Sequence, residues 1–132
     1  MPTKFWRFAY DEASLEQIVR SNALPFPDFA RYPYAKNNSA AKVRRNLRAG
    51  HFVFLANFDH IRSTGKITAV GRIEDMVPDS VHITWRKLSR DKTVEPNPQG
   101  GIAQWQKEAV FQFDAGPAKR YDLAAIAQKL FP

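Results

Sequence analysis

Residues 4 to 10, KFWRFAY, set Phe5, Arg7 and Ala9 against Trp6, Phe8 and Tyr10, a period of two that predicts a strand. Asp11 then supplies an N-cap, and Leu15, Ile18 and Val19 recur at helical spacing before Asn22, so strand passes directly to helix. In residues 23 to 36, ALPFPDFARYPYAK, three prolines and four aromatics follow no period, and the segment reads as an irregular loop. Loops of this length inside a compact domain are often functional.

Ser39 can cap a helix running to about Ala49, with Ala40, Val43 and Leu47 on its inner stripe and Gly50 as its left-handed stop. HFVFLAN (51 to 57) is apolar on consecutive positions, the pattern of a strand covered on both faces. KITAVGRIE (66 to 74) and VHITWRKL (81 to 88) alternate, through Ile67, Ala69, Gly71 and Ile73 and then Val81, Ile83 and Trp85. Their short connections suit antiparallel neighbours. SRDKTVEPNPQGG (89 to 101) has the composition of an exposed loop, and AVFQF (109 to 113) reads as a fifth strand before Gly116 and Pro117. The chain closes on an amphipathic helix marked by Leu123, Ile126, Ala127 and Leu130. This order predicts a single α+β domain over residues 1–132, a curled, partly closed, mostly antiparallel sheet of about five strands flanked by two to three helices.

Composition narrows the class. A hydrophobic fraction of 44% and a charged fraction of 25% describe a globular chain rather than a disordered or membrane one. No apolar run approaches the roughly 18 residues of a membrane helix, and MPTKFWRFAYDE lacks the apolar core of a signal peptide. A cytoplasmic location without a membrane partner is expected. With no cysteine, a disulfide framework, a thiolate metal site and a cysteine nucleophile are excluded. The 20 Lys and Arg against 13 Asp and Glu give a net charge of +7, which favours nucleic acid, anionic lipid or an acidic partner.

The residues offer little catalytic chemistry. His51, His60 and His82 show no metal-ligand spacing, the acids are too dispersed to hold Mg²⁺, and no phosphate-cradling glycine loop is present. Neither a metal nor a cofactor is expected. Asp59 and His60 could pair as acid and base, but without a nucleophile elbow they read better as polar residues of a turn.

Binding is more legible. Between Lys36 and Lys66 the chain carries seven cations (36, 42, 44, 45, 48, 62 and 66) and one acid, Asp59. Four of them, Lys42, Arg44, Arg45 and Arg48, lie on the short helix between an aromatic loop and a strand ending in Asn57 and Phe58. Cations hold phosphates without reading sequence, while aromatic planes and amide edges receive an unstacked base. Asn37 and Asn38 sit where helix capping accounts for one of them, and Trp85 is in phase with core positions. Asn57, at the end of an apolar strand, needs polar partners that a ligand edge can supply.

The aromatic first strand, the Asn-containing loop, the unit NLRAGHFVF (46 to 54) and the strand GKITAVGRI (65 to 73) together resemble the PUA-like superfamily, specifically EVE domains and their YTH relatives. The resemblance covers roughly residues 4 to 88. It implies a pseudo-barrel with a concave pocket for a flipped, often methylated base. Carried onto this sequence, it points to Trp6, to Tyr32, Tyr34, Asn37 and Asn38, and to Asn57 with Phe58, with Trp85 as a further aromatic. His51 stands where the family usually has Asp, the strand end LANF lacks the family's Tyr-His-Ser, and no Trp lies between residues 7 and 84, so a cage would be built from Tyr or Phe.

The resulting expectation is a non-enzymatic module for a modified base in DNA or RNA, with Lys36, Lys42, Arg44, Arg45 and Arg48 on phosphates and room for a separate effector protein as partner. The competing readings are a small enzyme on a nucleotide or nucleic acid using Asp59 and His60, and a protein-interaction domain with a basic face.

Overall fold

The computed structural model describes residues 4–27, 39–78 and 80–132. Its elements are β1 (Phe5–Phe8), a single 3-10 turn (Glu12–Ser14), α1 (Leu15–Arg20), α2 (Ala40–Asn46), β2 (Phe52–Asp59), β3 (Thr64–Val77), β4 (Ser80–Val94), α3 (Gly101–Lys107), β5 (Val110–Gln112), α4 (Ala115–Arg120) and α5 (Leu123–Leu130). The strands make one open sheet in the order β4-β3-β2-β1-β5. Neighbours are antiparallel except β1 and β2, which run parallel with Phe5 opposite Phe52 and Phe8 opposite Leu55. The fold is therefore α+β with a mostly antiparallel sheet.

The parallel pair explains the layering. Parallel strands cannot be joined by a tight turn, so the chain must cross over between them. That crossover carries α1 and α2, whose Ile18 and Val43, with Leu47, join Trp6, Phe8, Val53 and Leu55 in one buried cluster. On the opposite face α3 and α5 contribute Trp105 and Leu123 to a second cluster with Phe54, Ala56, Ile67, Val70, Phe111 and Phe113. β2 thus lies between two helical layers, which is why Val53, Phe54, Leu55 and Ala56 are all buried and the sequence there shows no alternation. Burying one such aromatic or branched side chain contributes about 2 kcal/mol.

β3 and β4 form a long hairpin interrupted by bulges. Thr68 is an extra residue in the ladder with β2, since Leu55 faces Ala69 while Ala56 faces Ile67; in the ladder with β4 the surplus lies on β4, since Lys87 faces Ala69 while Lys92 faces Ile67. Gly71 is required by its neighbours: a Cβ there would stand 2.5 Å from Ile83 Cδ1 and 2.7 Å from Trp85 Cε3.

Several elements differ from the sequence expectation. β4 continues to Val94 through the stretch read as loop, because the irregular register accommodates residues 88–91 within it. α3 begins at Gly101, the last residue of that segment, and is anchored by the buried Trp105. α2 stops at Asn46, since Leu47 is already extended, and Gly50 (φ +90) instead turns the chain into β2 with its N–H on the Ile73 carbonyl. α4 contains Pro117 in its first turn, where a missing N–H costs no intrahelical bond. Among the described residues no helix is long and apolar enough to cross a membrane.

Candidate functional site

β1 and β2 end side by side, and their shared rim carries a concentration of polar side chains. β1 stops at Phe8, and Asn57 of β2 takes over the pairing: its Oδ1 accepts the Tyr10 N–H at 3.1 Å and its Nδ2 donates to the Tyr10 carbonyl at 2.9 Å. The Tyr10 hydroxyl lies 2.8 Å from Thr68 Oγ1, and Thr68 also donates to the Leu55 carbonyl at 3.3 Å. Burial raises the Tyr10 pKa above its ordinary value; the Thr68 hydrogen bond opposes that shift, and Glu12 and Asp91 add to it.

Arg7 is the one charged side chain buried among the described residues, at 1% exposure. Its Nε donates to the Ala56 carbonyl at 2.8 Å, and its Nη1 donates to the carbonyls of Trp105 at 3.2 Å and Glu108 at 2.7 Å. The first carbonyl lies at the β2 bulge, and the other two belong to the end of α3, where helix carbonyls lack intrahelical donors. The guanidinium carbon also sits 4.9 Å from the Trp105 ring centre and 5.7 Å from that of Phe111. Arg7 therefore ties β1, β2 and α3 together.

These groups bound a cavity of about 260 Å³, lined by Arg7, Tyr10, Glu12, Asn57, Phe58, His60, Trp105 and Gln106. Phe58 is half-buried and meets His60 edge-on at 5.1 Å. Across the ladder from Phe58 is Gly65, whose missing side chain seats Trp105: a Cβ there would come within 2.5 Å of Trp105 Cη2. Asn57 spends one hydrogen and one lone pair of its carboxamide on Tyr10, so a second of each can face the cavity. The half-buried Phe58 ring and the Asn57 and Gln106 carboxamides suit a planar heterocycle. A larger cavity of about 700 Å³ lies on Tyr10's other side, bounded among the described residues by Asp11, Ser14, Gln17, Leu24 and Phe26.

Of the residues expected around a base, Asn57 and Phe58 line the smaller cavity. Tyr32, Tyr34, Asn37 and Asn38, and Lys36 from the phosphate set, lie outside the described residues. Trp6 and Trp85 require correction: each is only 4% exposed, in the core beneath the crossover helices. Their polar ends are satisfied there, Trp6 Nε1 donating to His51 Nδ1 at 3.2 Å and Trp85 Nε1 to the Ala23 carbonyl at 3.2 Å. His51 Nδ1 also accepts the Arg48 N–H at 3.3 Å, and its pKa is lowered by burial and then by the charges of Arg48 and Lys4.

The basic helix is also not where the sequence suggested. Arg44 of α2 donates through Nη2 to the carbonyls of Val77 and Ser80, clamping the turn between β3 and β4. Asn57, by contrast, faces Lys66 near the other end of β3. At about 3.3 Å per residue the two places lie on the order of 30 Å apart along the strand, so α2 does not form the rim of this cavity. Arg48 folds back onto its own helix end, with Nη1 on the carbonyls of Arg45 at 2.6 Å and Leu47 at 2.7 Å. Lys42 and Arg45 are exposed, Arg45 making one long contact of 3.5 Å to the Ala41 carbonyl.

Asp59 and His60 are adjacent but perform separate tasks. Asp59 Oδ1 accepts the N–H groups of Ile61 at 2.9 Å and Arg62 at 3.2 Å, while the His60 ring leans on Phe58. Sequence reasoning missed Arg7, Tyr10, Glu12, Trp105 and Gln106 as lining residues. Only Arg7 carried a signal, a cation between two large aromatics in a short strand. No family model matches the chain, and no curated protein or solved structure matches it.

Proposed function

We propose that this chain is a non-catalytic nucleic-acid-binding module of the PUA-like, EVE-related kind, its curled sheet acting as a pseudo-barrel that holds one unstacked base in the cavity at the shared end of β1 and β2. The observation that carries this reading is the convergence of the Phe58 ring and the Asn57 and Gln106 carboxamides on a single cavity in a chain of net charge +7. Unstacking a base costs a few kcal/mol, and stacking on an aromatic ring returns about 1–3 kcal/mol. The amide edges supply the rest. A methyl group on the base adds apolar surface against Phe58, worth about 0.8 kcal/mol when buried, which favours a methylated base. Arg62, two residues after the lining residue His60, meets the nearest phosphate, and Lys42 and Arg45 meet phosphates farther along the strand.

Titration of fluorescent DNA and RNA oligonucleotides, with and without methylated bases and at two salt concentrations, tests this directly. The expected outcome is a preference for one methylated base and an affinity that falls steeply with salt. Absence of both overturns the reading.

A further inference from the structure

Ile61 stands in the turn between β2 and β3 and is 96% exposed, the one large apolar side chain so exposed among the described residues. Isolated apolar residues occur on many protein surfaces. What sets this one apart is how it is held and what flanks it. Asp59 faces Thr64 at the base of the turn, and the Asp59 carboxylate accepts the N–H groups of both Ile61 and Arg62. Ser63 completes the turn in the left-handed region (φ 55). The turn is thus fixed by its own hydrogen bonds while its tip buries nothing.

The flanking residues line two different recesses. His60, just before Ile61, lines the 260 Å³ cavity with Phe58 and Asn57. Arg62, just after it, lines an open groove of about 550 Å³ with Ser63, Thr64, Arg120 and the single acid Glu95. An apolar tip therefore stands between a cavity sized for a planar ring and a groove carrying two guanidinium groups.

We infer that Ile61 is a wedge: when a base leaves a duplex for the cavity, the Ile61 side chain enters the stack at the vacated step, and Arg62 holds the phosphate beside it. This rests on the base-binding reading above and narrows its substrate to double-stranded nucleic acid. Extruding a base leaves an apolar gap between its former neighbours, and proteins that open base steps fill such gaps with side chains like Ile, Leu or Phe. A single strand leaves no gap, so the wedge contributes nothing to its binding.

The test compares the wild type with Ile61→Ala and Ile61→Phe on short DNA and RNA duplexes of one sequence, each carrying the preferred methylated base at a central mismatch next to 2-aminopurine, and on the corresponding single strands. Ile61→Ala is expected to weaken duplex binding about tenfold and to suppress the rise in 2-aminopurine fluorescence, with single-strand binding unchanged, whereas Ile61→Phe retains both duplex signals. At 96% exposure Ile61 supports no packing, so both variants fold as the wild type does, and equal thermal midpoints verify this. Equal losses on duplex and single strand, or no loss on the duplex, overturn the wedge. Wild-type binding to single strands alone overturns the wedge and leaves base binding standing; binding to neither overturns both. Loss of a protein partner by Ile61→Ala with duplex binding intact likewise refutes it in favour of a protein contact.

Discussion

Asn57 and Tyr10 are joined by two hydrogen bonds, with the Asn57 carboxamide accepting from the Tyr10 N–H at 3.1 Å and donating to its carbonyl at 2.9 Å. A side chain thereby extends the pairing of two parallel strands beyond the point where one of them ends, and the wall of the cavity is set by that extension. Asn57→Ala leaves both backbone groups unpaired and is expected to destabilise the fold by about 1–3 kcal/mol, read from urea unfolding. Asn57→Asp keeps the acceptor but faces the Tyr10 carbonyl with a carboxylate, so it is expected to recover little of that loss.

Arg7 presents a stronger case, because its guanidinium serves carbonyls on β2 and α3 from a position with 1% exposure. Arg7→Met fills similar volume but leaves those carbonyls without their charged donor, a cost of about 3 kcal/mol in denaturant unfolding. Arg7→Lys does not rescue it, since an ammonium cannot reproduce the planar fork.

His51 makes stability depend on pH. Its Nδ1 accepts from Trp6 and from the Arg48 backbone, and its pKa is lowered in the folded state, so the neutral form is the one the fold favours. The unfolded value is about 6.5. The contribution is therefore present above that pH and is lost as the pH falls through the lower folded value. Urea midpoints measured across this range should drop toward acid in the wild type and drop less in His51→Gln, which keeps an acceptor that does not titrate.

The cations of α2 divide into two kinds. Arg44 clamps the β3–β4 turn, so Arg44→Ala is expected to cost about 1–2 kcal/mol of stability. Lys42→Ala and Arg45→Ala should leave stability within about 0.5 kcal/mol. Each should instead lower the slope of log affinity against log salt by about 1 without altering base preference.

The sequence made local features legible and left non-local ones hidden. The consecutive apolar residues of β2 announced a strand buried on both faces, and Val53 through Ala56 are buried as that pattern requires. α3 escaped notice because GIAQWQK is short and begins in glycine, and its only anchor is Trp105. β4 was cut short because its charged continuation depends on an irregular register that no local pattern encodes. At the site, Asn57 was identifiable as a polar residue in need of partners, but its partner is the Tyr10 backbone, 47 residues away. Arg44 and Arg48 looked like free cations because the carbonyls they bind are set by tertiary structure and helix termination, respectively.

On the base-binding reading, a base enters the cavity beside Phe58, Asn57 and Gln106, with the buried Trp105 behind it. The most direct measurement is a two-dimensional amide NMR titration of the full chain with a methylated oligonucleotide. The account predicts that the Trp105 indole N–H and the side-chain amides of Asn57 and Gln106 shift together with one affinity, while the indole N–H signals of Trp6 and Trp85 stay in place. Saturable shifts that leave Trp105, Asn57 and Gln106 unmoved contradict it.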